Sequence, residues 1–98
     1  MLRWLDAALA DLRAIKKYIA EENPDAARRV IASIRSETNI LLNQSTIGRV
    51  GRIADTRELV MSQYPYIVAY RELNGEVQIL AVVHTSRRWP EQLAKTKK

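Results

Sequence analysis

Two apolar runs, Tyr66 to Glu72 and Val77 to His84, flank Asn74-Gly75, and that dipeptide constrains the fold more than any other feature of the chain. Asn-Gly between runs rich in Val, Ile and Tyr specifies a two-residue hairpin turn, because both central positions of the favoured turn need positive φ. With Leu73 opposite Glu76, counting outward pairs Arg71 with Gln78, Ala69 with Leu80, Ile67 with Val82 and Pro65 with His84. One face of this predicted ladder carries Tyr66, Val68 and Tyr70 opposite Val83, Ala81 and Ile79. The other carries Ile67, Ala69, Leu80 and Val82 in its middle, with Arg71, Gln78 and His84 toward its ends. The first face is apolar enough to receive a packed layer. The second is expected to stay open and face a ligand, because burying charge without a partner is costly. A one-residue slip would exchange the two faces, so the assignment depends on the turn.

A third run, Arg57 to Met61, extends the sheet. Upstream, the period changes from two to between three and four. Leu5, Ala8, Leu12, Ile15 and Ile19 form one helical stripe, with Asp6 as the expected N-cap and Asp11, Arg13, Lys16 and Lys17 largely outside it. Asn23-Pro24 ends this helix and starts another, since proline disfavours helical geometry in the preceding residue yet fits the first helical position. Ala27, Val30 or Ile31, Ile34, Thr38 and Leu41 make the second stripe. So short a link predicts an antiparallel helical hairpin over about Ala7 to Leu42, preceded by a possible edge strand at Leu2 to Leu5. Asn43 to Asp55 shows no period of either kind and reads as a connector, and its glycines match neither the dinucleotide-binding fingerprint nor the P-loop. The expected fold is α+β, an N-terminal helical hairpin packed on a mainly antiparallel sheet.

At 98 residues with 47% apolar content, the chain supports one domain spanning residues 1–98, with a basic tail from about residue 91. It has no cysteine, which excludes disulfides and thiolate zinc sites. Its single histidine excludes His-pair motifs, and its acids are scattered, so no metal and no cofactor are expected. No secretory leader and no membrane-spanning run is evident, so the expected location is cytoplasmic. The net charge of +5 is uneven, +1 over residues 1–42 and +4 over residues 43–98, and favours an acidic partner.

The excess falls where the candidate functional residues are. Arg49, Arg52, Arg57, Arg71, Arg87 and Arg88 share that half with His84. Arginine suits phosphate or carboxylate recognition because its planar fork bonds in a bidentate way, although any one of these is equally readable as a solvated side chain. His84 has a suitable intrinsic chemistry for a general acid or base, and a structural role at a strand end is the plain alternative. Trp89, before Pro90, is either an interface anchor or a core residue. RNA cleavage through 2′-hydroxyl attack needs a base, an acid and cations, and a clear second acid-base group is missing. No serine lies in a nucleophile elbow.

In order along the chain come Ala-x-x-Asp-Leu-x-x-Ile (Ala8 to Ile15), Asn-Pro-x-Ala-Ala, Gly-Arg, Thr-Arg-Glu-Leu, Tyr-Pro-Tyr-Ile-Val-Ala-Tyr-Arg and Val-x-Ile-Leu-x-Val-x-His-x-x-Arg-x-Trp-Pro. This order resembles the RelE/ParE superfamily of type II toxin-antitoxin toxins, over Leu2 to about Pro90. The resemblance implies a helical hairpin on a mainly antiparallel sheet. It also implies a small cognate antitoxin, forming a hetero-oligomer, whose C-terminal segment wraps the toxin. RelE-like members of the superfamily cleave mRNA on the ribosome, whereas ParE-like members inhibit DNA gyrase and serve in plasmid stabilization. The chain has no Tyr or Phe after Tyr70 and few lysines in its sheet region, which looks more like the ParE side. On that resemblance Arg57, Arg71, His84, Arg87, Arg88 and Trp89 are partner-binding residues and none is catalytic. On the RelE-like alternative, with ribosome and mRNA as target, His84, Arg57 and Arg87 would be catalytic.

Overall fold

The computed structural model describes residues 1–86. Arg87, Arg88, Trp89 and the basic tail lie outside the described residues. In chain order the elements are β1 (Leu2–Trp4), α1 (Asp6–Ala20), α2 (Pro24–Thr38), a 3-10 turn (Asn39–Leu42), β2 (Arg49–Val50), β3 (Arg57–Val60), β4 (Tyr66–Leu73) and β5 (Glu76–His84). The strands form one five-stranded sheet in the order β1-β5-β4-β3-β2, with β1 parallel to β5 and every other pair antiparallel. This is the expected α+β architecture.

Local chemistry accounts for most of the boundaries. Asn23 caps α2, its side chain accepting from the Ala26 N–H at 3.0 Å, with Pro24 in the first turn. At α1 the expectation is corrected by one residue. Asp6 is the first helical residue, and Leu5 holds the cap position in extended geometry with no side-chain bond. The Leu5 N–H instead donates to the Ile79 carbonyl at 3.1 Å, so the end of β1 fixes where the helix begins. Asp6 still favours the positive end of the helix dipole. Asn74 and Gly75 both take positive φ, 53° and 77°, as the turn requires. The connector is more ordered than its sequence indicates, because β2 lies within it and pairs Arg49 with Glu58 and Val50 with Arg57.

The predicted ladder holds from the turn outward only to Tyr70 and Ile79. Leu80 then has no opposite residue in β4, and beyond this bulge Ala69 pairs with Ala81, Val68 with Val82, Ile67 with Val83 and Tyr66 with His84. The slip exchanges the faces of the distal half of β5. Val82 and His84 move to the face of Tyr66 and Val68, while Ala81 and Val83 move to the other face with Ala69 and Ile67. The pairings of Ala69 with Leu80, Ile67 with Val82 and Pro65 with His84 are therefore replaced.

The cause lies on the edge of β5. β1 pairs only Leu2, Arg3 and Trp4 with Val77, Gln78 and Ile79, so β5 loses its outer neighbour just before the bulge. Asp11 of α1 takes over there, its carboxylate accepting the Val82 N–H at 2.9 Å. A half-buried side chain thus satisfies a backbone donor that would otherwise go unpaired.

Above the first face, Ala8, Leu12, Val30, Ile34 and Leu41 pack on Met61, Tyr66, Val68, Tyr70, Val77, Ile79 and Val82. This is the core. The second face is covered thinly. Ala69 and Ala81 are buried there beneath Ile53 and Val83.

Candidate partner-binding surfaces

The second sheet face is held by a buried acid. Glu58 is 1% exposed and points, with its partner Ala69, away from the helices. Its Oε1 accepts from Arg49 Nε at 3.1 Å and Nη2 at 2.9 Å, and its Oε2 from the Arg52 N–H at 3.2 Å. Two charge-assisted bonds and a backbone donor satisfy the carboxylate out of water. They also pull the hairpin between β2 and β3 over the sheet, which seats Ile53 on the two alanines. Gly51 is needed where the hairpin closes, because a Cβ there would collide with the Thr56 hydroxyl. What remains at least partly open on this face is a row of Arg3, Gln78 and Arg71 at one end and Val60 and Val83, on either side of the buried Ile67, at the other. Arg71 Nε donates to Gln78 at 2.8 Å, and Gln78 in turn donates to Glu76 at 2.9 Å. The apolar centre expected to be open is thus partly roofed by Ile53.

The expected site residues separate. Arg57 pairs with Tyr70 on the helix-covered face, and its guanidinium donates to the carbonyls of Thr46 at 3.2 Å and Gly48 at 2.9 Å. Tyr70 completes that anchor. Its hydroxyl accepts from the Gly48 N–H at 2.9 Å and donates to the Ser45 carbonyl at 2.8 Å. Burial raises the phenol above its ordinary range, against the opposing pull of the Gly48 N–H and the Arg57 charge. A Cβ on Gly48 would stand 2.5 Å from this hydroxyl, so the glycine makes room for the bond.

His84 lies at the far end of the same face, edge-on to Tyr66 with ring centroids 5.2 Å apart. The Ser86 N–H donates to His84 Nδ1 at 3.1 Å, and the Ser86 hydroxyl lies 2.7 Å from the same nitrogen. Arg57 and His84 are four residues apart along the ladder and two strands apart across it, roughly 16 Å between Cα atoms. Arg71, on the opposite face, belongs to neither of them. The bulge is what removed His84 from the row of Arg71 and Gln78.

A second surface lies on the helices. Leu9, Leu12, Arg13, Lys16, Ile31 and Arg35 line a groove of about 160 Å³ between α1 and α2. Its floor is aliphatic and its rim cationic. None of Arg13, Lys16 and Arg35 forms an ion pair among the described residues. Sequence reasoning placed Arg13 and Lys16 largely outside the stripe and did not single out Arg35. The available signal was that Arg13 and Lys16, at helical spacing, flank Leu9 and Leu12, while Arg35 lies one turn beyond Ile31.

Among the described residues, no helix is long and apolar enough to cross a membrane. The model of the ParE toxin of type II toxin-antitoxin systems, parDE, matches residues 2–89. A putative toxin, Y4kP of Sinorhizobium fredii, is 44% identical over 92 residues, covering 94% of this chain and 95% of its own. Toxin RelE2 of Caulobacter vibrioides is 36% identical over 84 residues, covering 86% and 93%. Among solved structures, the chromosomal ParDE TA system from P. aeruginosa matches with a TM-score of 0.79 at 26% identity, over 87% of this chain and 95% of that one. A sheet flanked by a helical hairpin, matched over nearly its whole length by these relatives, leaves one assignment: the chain belongs to the ParE toxin family of type II toxin-antitoxin systems, within the RelE/ParE superfamily.

Proposed function

We propose that this toxin acts by inhibiting DNA gyrase and is held inactive by a cognate antitoxin. The separation of Arg57 from His84 carries the choice of target. Phosphodiester cleavage needs acid, base and cation to converge on one phosphate, within hydrogen-bond reach of the reacting atoms. Here the Cα atoms of Arg57 and His84 stand roughly 16 Å apart, and the Arg57 guanidinium is committed to the Thr46 and Gly48 carbonyls. Inhibition of a protein target requires a surface instead, and the ParE-like members that the chain resembles act on gyrase.

The antitoxin reading is supported by the likeness to a ParDE system and by the cationic, apolar-centred surfaces. An acidic, amphipathic segment that folds on binding can cover such surfaces. Between the two, the helical groove is the better seat. The sheet face already has Ile53 at its centre, with Arg49 bonded to Glu58 and Arg71 to Gln78, whereas Arg13, Lys16 and Arg35 form no ion pair among the described residues.

Purified protein tested in parallel for gyrase supercoiling with cleavage-complex formation, and for ribosome-dependent cleavage of a defined mRNA, decides the target. Inhibition in the first with an intact transcript in the second is the expected result. Transcript cleavage that His84→Ala abolishes, with gyrase unaffected, would overturn the proposal in favour of an endonuclease, the reading that the likeness to Toxin RelE2 favours.

A further inference from the structure

We infer that Trp4 is a positioning residue for Arg35, and that this cation–π pair is the specificity-determining element by which the helical groove reads a carboxylate on an acidic amphipathic helix. The inference deepens the antitoxin reading and rests on it.

The Arg35 guanidinium carbon lies 5.2 Å from the centre of the Trp4 ring. Trp4 is the last residue of β1, half-buried and packed against the core, so its ring is fixed by the body of the protein. Arg35 is in the last turn of α2 and exposed. A guanidinium stacked by one face on an indole keeps its edge N–H groups free, in the plane where a carboxylate bonds in a bidentate way. It has also lost rotamer freedom before any partner arrives, which lowers the cost of binding.

The rest of the groove defines the occupant. Leu9, Leu12 and Ile31 ask for apolar side chains on the partner, while Arg13 and Lys16, one helical step apart on α1, ask for carboxylates beside them. An acidic helix with one apolar stripe meets both demands. A nucleic acid offers nothing to the aliphatic floor, and a second copy of this chain would bring like charge to a groove that already lacks acids.

The test is a double-mutant cycle on the full-length protein, titrated calorimetrically with the purified product of the small reading frame adjacent to its own. Arg35→Gln is expected to raise Kd roughly tenfold and to flatten its salt dependence, with Arg35→Lys only partly restoring affinity. Trp4→Leu is expected to raise Kd roughly fivefold, with Trp4→Phe recovering most of the loss. In the Arg35→Gln background Trp4→Leu should add nothing, since its effect runs through the guanidinium. Equal costs of Trp4→Leu in both backgrounds, or an unchanged Kd for Arg35→Gln, would overturn the inference and leave the antitoxin reading standing. A neighbouring product that fails to bind the wild-type chain, or the lack of such a reading frame, would overturn both.

Discussion

The two faces of this sheet are closed by different physics. One meets the helical hairpin through large aliphatic and aromatic side chains, and Ile34, Ile79 and Val68 there are fully buried. The other is closed by a short hairpin loop whose only large apolar contribution is Ile53, so an ion pair between the buried Glu58 and the half-exposed Arg49 does what packing does opposite. Burial of apolar area tolerates small changes in geometry. A buried carboxylate does not, because removing its partner leaves a charge with nothing to solvate it. The difference predicts where the molecule is soft, and for which kind of change.

Ile34→Ala sets the scale for the helix-covered face. It should cost about 4 kcal/mol through lost transfer energy and a cavity, read by denaturant unfolding with an unchanged slope. A cost below about 2 kcal/mol would mean that the helices collapse onto the gap. Arg49→Met tests the other face. It should cost about 2 kcal/mol by removing two charge-assisted bonds to the Glu58 carboxylate, and Arg49→Met with Glu58→Gln should recover part of that. Full additivity of the two changes would break the comparison, since it would mean that the pair does not act as a unit.

Tyr70→Phe comes next, at about 1.5 kcal/mol for two lost hydrogen bonds. The raised phenol adds a pH signature. The folded state holds this proton more tightly than the unfolded chain, so the contribution is complete below the ordinary tyrosine range and is lost as pH rises through the raised value. Unfolding free energies measured above pH 9 should therefore fall less steeply for Tyr70→Phe than for the wild type. Arg71→Gln, on the exposed rim, should change stability by less than about 0.5 kcal/mol. A larger loss would show that the chain from Arg71 through Gln78 to Glu76 supports the second face after all.

The hairpin turn, the helix break at Asn23-Pro24 and the helical stripes were legible because each is written in adjacent residues. The cap at Asn23 needs one side chain and one amide three residues on. The bulge at Leu80 was not legible, for it has no glycine or proline to mark it. It arises because β1 ends at Trp4 and Asp11, seventy-one positions before Val82, takes the edge amide. Glu58 was equally hidden. A charged residue in an exposed-looking strand gives no sign that it lies buried opposite Ala69, where Arg49 reaches it from the neighbouring strand.

Sequence alone settled the fold class, the hairpin turn and the concentration of basic charge in the second half. These rest on short-range geometry and composition. Only the tertiary structure decided which face His84 occupies, that Arg57 is spent on backbone carbonyls, and that unpaired cations gather on the helices instead. Those outcomes depend on strand edges and side chains brought together from distant parts of the chain. One extra residue in β5, allowed by the end of a neighbouring strand, was enough to reassign half a strand, because side chains alternate with a period of two.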